Sequence, residues 1–126
     1  MDMYEVMIKS GFSAAHSLRE YGGKCEGLHG HNFRVDVYVK AKKLDDIGLA
    51  IDFRILKEKT KVVIDQLDHK YLNDSPYFSE INPSSENIAV YIFKNLEKEV
   101  NDGNIVISRV AVWESENSCA SYYEGE

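Results

Sequence analysis

Cysteine and proline are scarce in this sequence, with two of each among 126 residues. Cys25 and Cys119 can form at most one disulfide, so a small cross-linked scaffold is excluded. A chain of this length buries roughly two-thirds of the surface its unfolded form exposes, enough for a core of its own, and both thiols are expected to be free. Pro76 and Pro83 make no Pro-rich linker, and no repeat or low-complexity tract interrupts the chain. A single domain over residues 1–126 is expected. No run approaches the ~20 apolar residues that a membrane-spanning helix needs. The opening Met1-Asp2-Met3-Tyr4-Glu5 has no basic stretch followed by an apolar one, so a cytoplasmic location without a membrane partner is expected. Positive charge is also in short supply. Lysine and arginine number 15 against 21 aspartate and glutamate, a formal charge of −6. Phosphate-backbone binding depends on clustered Lys and Arg, which do not occur here, so nucleic acid is not an expected partner.

The composition, 44% hydrophobic and 29% charged, is that of an ordinary globular protein, and its apolar residues recur with clear periods. Tyr4, Val6, Ile8 and Phe12 share one parity, as in a half-buried strand. Phe33, Val35, Val37, Val39 and Ala41 alternate with Arg34, Asp36, Tyr38 and Lys40, which predicts a second strand. A turn follows at Leu44-Asp45-Asp46. Asp52 is a plausible N-cap for a helix whose apolar face carries Phe53, Leu56, Thr60, Val63 and Leu67. Ser84-Ser85-Glu86 opens a second helix with the face Ile88, Ile92, Phe93, Leu96 and Val100. After the breaker Asn101-Asp102-Gly103, a strand from Ile105 to Trp113 and a short one around Ala120–Tyr123 are expected. The order ββααββ predicts an α+β fold, a four-stranded antiparallel sheet with both helices on one face. Such a sheet keeps two edges and a bare face, so a homo-oligomer is expected.

The four histidines are His16, His29, His31 and His69. Residues two apart on a strand project to one face, so His29 and His31 can offer two imidazoles to one cation. His16 shares parity with the apolar face of the first strand, and an antiparallel neighbour brings it to the pair. Three neutral nitrogens plus an open position are the donor set of a catalytic zinc. An isolated His-x-His also occurs in proteins without metal.

Cys25, four residues before His29, is open to three roles: metal ligand, packed thiol or reactive thiolate. A neighbouring cation such as Lys24 favours the last. Asp68-His69 can serve as a carboxylate-oriented acid–base pair or can be an exposed pair at a helix end. Glu114 can accept two N–H bonds from a flat guanidine-like edge, or be a solvated strand-end carboxylate. Cys119, Tyr122 and Tyr123 are read as packing residues.

Five separated segments carry a resemblance. Phe12-Ser13-Ala14-Ala15-His16, Cys25-Glu26-Gly27-Leu28-His29-Gly30-His31-Asn32, Leu67-Asp68-His69-Lys70-Tyr71-Leu72-Asn73-Asp74, Asn82-Pro83-Ser84-Ser85-Glu86-Asn87 and Glu114 together resemble the 6-pyruvoyltetrahydropterin synthase family across nearly the whole chain. Three residues separate Cys25 from the His-Gly-His triplet, a spacing similar to that of the queuosine-pathway branch, the 6-carboxy-5,6,7,8-tetrahydropterin synthases. The resemblance implies the tunnelling fold, with subunits closing into trimers that pair as hexamers. It implies zinc on His16, His29 and His31, Cys25 as catalytic base, Asp68 with His69 as a second acid–base pair, and Glu114 as pterin anchor. The implied substrate is 7,8-dihydroneopterin triphosphate, converted to 6-carboxytetrahydropterin, acetaldehyde and triphosphate. Lys24, Arg19 or a basic residue of a neighbouring subunit would meet the triphosphate. Ser84 and Ser115, a further substrate contact, stand where the family commonly has Thr, which keeps the hydroxyl. A synthase giving the 6-pyruvoyl product, a relative acting on the free dihydropterin side chain and a non-enzymatic zinc- or pterin-binding module are the alternatives.

Overall fold

The computed structural model describes residues 3–21 and 27–124. Cys25 and Lys24 therefore lie outside the described residues. Strand β1 (Tyr4–His16) and strand β2 (His29–Ala41) pair antiparallel without a break, from Tyr4 opposite Ala41 to His16 opposite His29. Helix α1 (Phe53–Asp65) follows, its N-cap Asp52 accepting the Arg54 N–H at 2.8 Å. Next come the two-residue strand β3 (Lys70–Tyr71), two 3-10 turns, and helix α2 (Ser85–Val100), where the Ser84 hydroxyl accepts the Asn87 N–H at 3.1 Å. Strands β4 (Ile105–Ser115) and β5 (Ser118–Tyr122) close the chain.

Among the described residues the sheet runs β3-β1-β2-β4-β5. It has five strands where four were expected. The extra strand, β3, lies parallel to β1 through Ala14 and Ala15, so the sheet is mixed at that edge. Two residues carry no readable period, which is why the alternation gave no sign of it. The α+β arrangement itself is as expected, and no helix among the described residues is long and apolar enough to cross a membrane.

The core lies between the sheet and both helices. Phe12, Phe33, Val35, Val37 and Val39 face Leu56, Val63, Ile88, Ile92 and Leu96, all buried. A register shift between Tyr38 and Val39 resets the parity of β4, so that Ile107 and Val110 both point inward. The opposite face carries polar and aromatic side chains that pair with one another. Arg34 stacks on Trp113 at 5.0 Å and Arg109 on Tyr38 at 4.0 Å, while the Trp113 indole N–H donates to Asp36 at 2.9 Å. Tyr122 packs edge-on against Phe93. Cys119, on the outer strand β5, and Tyr123, just past its end, are exposed, contrary to the packing role expected of them.

Thr60 belongs to the helix face read from the sequence, but its fully buried hydroxyl makes no hydrogen bond among the described residues. Thr60→Val removes that orphaned group at equal volume, and urea unfolding is expected to show a gain of about 1 kcal/mol. Unchanged or lower stability would mean the hydroxyl has a partner.

Candidate metal centre

The β1–β2 register decides the site. His16, the last residue of β1, stands opposite His29, the first of β2, and His31 is two residues further along the same face. The three rings meet edge-on, with centroids 4.7, 5.2 and 4.7 Å apart. Glu114 joins them from β4, at the register shift between Trp113 and Ser115. Its Oε1 is 2.8 Å from His31 Nε2, 3.6 Å from His16 Nε2 and 3.8 Å from His29 Nε2. Ser85, in the first turn of α2, donates weakly to Oε2 at 3.5 Å.

Two backbone carbonyls set the rings. His16 Nδ1 donates to the Pro83 carbonyl at 2.7 Å, and His29 Nδ1 to the Gly27 carbonyl at 3.0 Å. A carbonyl only accepts, so each Nδ1 carries a proton, and in the neutral ring each Nε2 presents a lone pair. These lone pairs face a carboxylate oxygen, a repulsive arrangement unless a positive charge stands between them. His16 is 2% exposed, and its buried Nε2 makes no hydrogen bond among the described residues. One donor atom from each of His16, His29, His31 and Glu114 lies within 4.8 Å of the others, so the group can hold one metal ion. Carbonyl-anchored imidazoles are the usual support of such ligands. Nothing in the sequence assigned this role to Pro83 or Gly27, because a carbonyl's role depends on where the fold delivers it.

The Asp68–His69 pair is closer than its spacing suggests. Neighbours on a helix do not face each other, but α1 ends at Asp65 and His69 adopts the left-handed conformation with φ 57°, at a cost of about 1 kcal/mol. This turns its ring back, and Nδ1 lies 3.0 Å from Asp68 Oδ2. The His69 N–H donates to the Ser13 carbonyl at 2.6 Å, while the Ser13 N–H donates to Asp68 Oδ1 at 2.9 Å. Both residues are thereby tied to β1. His69 and His31 line one cleft of about 450 Å³, together with Ser13, Asn32 and Lys70. Lys70, which the sequence reading passed over, places a cation there.

The Ser13 amide, and after it His69, holds the Asp68 carboxyl below the usual carboxylate range. In the window between that lowered value and the ordinary one of about 3.9, the unfolded chain binds more protons than the native one, so Asp68 makes stability rise with pH there. Its contribution is complete above the ordinary value and is lost as pH falls through the lowered one. Urea unfolding of native protein and Asp68→Asn should therefore differ most near neutral pH and converge in acid. A gap independent of pH would show that the charge is not what Asp68 supplies.

The other sequence candidates fare differently. Both terminal nitrogens of Arg19 donate to backbone carbonyls, of Ile81 at 3.1 Å and Asn73 at 3.2 Å, so it ties the scaffold together. Ser115 accepts the Asn117 N–H at 3.2 Å within the β4–β5 turn and is not brought into the imidazole group.

Comparison with known proteins agrees with this architecture. The family model for 6-pyruvoyl tetrahydropterin synthase matches residues 5–125. The 6-carboxy-5,6,7,8-tetrahydropterin synthase of Synechocystis sp. is 38% identical, over 96% of this chain and 94% of the relative. The human 6-pyruvoyl tetrahydrobiopterin synthase is 35% identical, over 97% and 92%. The solved structure of 6-pyruvoyl tetrahydropterin synthase from Caenorhabditis elegans superposes with a TM-score of 0.84 at 24% identity, over 99% of this chain and 98% of that one, a likeness of fold. With nearly its full length matched and its strand-borne histidines gathered as described, the chain belongs to the 6-pyruvoyl tetrahydropterin synthase family.

Proposed function

We propose that this protein is a zinc-dependent 6-carboxy-5,6,7,8-tetrahydropterin synthase, a lyase that converts 7,8-dihydroneopterin triphosphate to 6-carboxytetrahydropterin, acetaldehyde and triphosphate on the route to queuosine. The observation that carries the reading is the convergence of His16, His29, His31 and Glu114 beside a cleft that His69 also lines. Three imidazoles that leave a position open for a substrate oxygen suit zinc. Zinc held there would supply a Lewis acid able to acidify protons on the substrate side chain. His16, His29 and His31 are its ligands. The Cys25 thiolate removes a carbon-bound proton, and His69, its ring held by Asp68, serves as the second acid–base group, delivering or collecting protons. Glu114 turns its carboxylate to the pterin edge and accepts N–H bonds from it, with Ser115 as a further contact. Lys24 and Lys70 are the cations offered to the triphosphate.

The reading includes a cytoplasmic homohexamer, a dimer of trimers. Its support is the pair of short sheet edges, β3 with two residues and β5 with five, which copies of the chain can pair. The 35% identity to the human enzyme supports a second reading, elimination of triphosphate to a 6-pyruvoyl product. Mass spectrometry after incubating zinc-loaded protein with 7,8-dihydroneopterin triphosphate separates them. The expected products are 6-carboxytetrahydropterin and acetaldehyde. A 6-pyruvoyl product alone moves the protein to the second reading, and no turnover at all moves it to a binding module on the same fold.

A further inference from the structure

Ser17 and Arg19 lie beyond the end of β1, and their backbone groups are met by side-chain carboxamides. Asn73 accepts the Ser17 N–H through Oδ1 and donates to the Ser17 carbonyl through Nδ2, both at 2.9 Å. Asn82 does the same for Arg19, at 2.8 and 3.1 Å. Two carboxamides thus imitate two rungs of a β-ladder. Arg19 closes the clamp by donating to the carbonyls of Asn73 and Ile81. Among side chains of this size only a carboxamide offers a donor and an acceptor on one planar head: Asp lacks the donor, and Ala lacks both.

The clamp bears on the metal centre through one atom. Asn82 precedes Pro83, whose carbonyl takes the His16 Nδ1 proton at 2.7 Å. Tying Arg19 to Asn82 therefore places that carbonyl against a ring three residues earlier in the chain. Asn87 supports the arrangement from α2 by donating to the Asn82 carbonyl at 2.8 Å.

We propose that Asn82, assisted by Asn73, is a positioning residue of the metal centre: it touches neither metal nor substrate, but holds the Pro83 carbonyl that sets the tautomer and direction of His16. The inference rests on the metal-centre reading above, and its test separates the two. Zinc affinity of the full chain is measured by competition with a chromogenic chelator, and the His16 ring protons of the zinc-free protein by long-range 1H–15N NMR. Asn82→Ala should weaken zinc binding about 10- to 100-fold, as loss of a ligand's support does, and should remove the fixed Nδ1–H state of His16. Asn82→Asp, which keeps the acceptor but not the donor, should follow it, and Asn73→Ala should move both readouts the same way by less. Ile92→Val, a core truncation in α2, should lower the unfolding temperature and move neither. If Asn82→Ala does not fold, the other two variants carry the test. Zinc affinity within about twofold of native and an unchanged His16 signal in the folded variants overturn the inference and leave the metal centre standing. A native protein that takes up no zinc overturns both.

Discussion

Replacing His31 with alanine is expected to abolish stoichiometric zinc binding. His31 is the imidazole nearest Glu114 Oε1, at 2.8 Å, and its ring lies within 5.2 Å of the other two, centre to centre. Removing it leaves only the two imidazoles of His16 and His29 from a three-imidazole ligand set, with Glu114 assigned to the pterin edge. The loss should exceed the roughly 10- to 100-fold that removal of a supporting group costs. Thermal unfolding offers a second reading of the same event. A ligand bound only by the native state at 100 times its Kd adds about 2.7 kcal/mol of stability, so zinc should raise the Tm of the native protein and leave that of the variant where it was. The zinc-free variant should fold as well as the zinc-free native protein, because His31 is half-buried at the end of the sheet and the apolar layer beneath begins at Phe33. Metal analysis of the purified variant provides the check. Zinc retained at one equivalent would remove His31 from the ligand set.

Cys25→Ala should have the opposite profile, with metal kept and turnover lost. A thiolate next to a metal-bound substrate is a base of the right strength for a carbon-bound proton, and losing such a group costs about 10²- to 10⁴-fold in kcat. KM should change little, since the thiol binds nothing in this scheme. Steady-state product formation with 7,8-dihydroneopterin triphosphate, run beside metal analysis, separates the three roles open to Cys25. Full activity would make it a bystander, and lost zinc would make it a ligand. Lost turnover with bound zinc assigns the base.

Much of this architecture was legible in the chain. The alternation from Phe33 to Ala41, the helix faces Leu56–Thr60–Val63 and Ile88–Ile92–Leu96, and the caps Asp52 and Ser84 each stand where the periods put them. These are local signals, since a strand or helix that must bury one face repeats its apolar residues at the period of its own backbone. The histidine cluster was legible for the same reason. Parity alone put His16 on the buried face of β1 and His29 with His31 on one face of β2, and an antiparallel register then joined them.

What no period could reveal came from segments far apart in sequence. Strand β3 exists only because β1 offers an edge beside Lys70 and Tyr71. The left-handed turn at His69, which brings its ring to Asp68, is held by the Ser13 backbone. Glu114 stands against the imidazoles at a register shift in β4, a placement that a strand-end carboxylate does not announce in sequence. The carbonyl of Pro83 and the carboxamides of Asn73 and Asn82 act at Ser17, Arg19 and His16, more than fifty residues away in the chain. Sequence by itself determined which residues form each element and which face they share, because burial imprints a local repeat. Only the tertiary structure decided which backbone groups and side chains meet at the site, because a hydrogen bond between distant segments leaves no repeat in either of them.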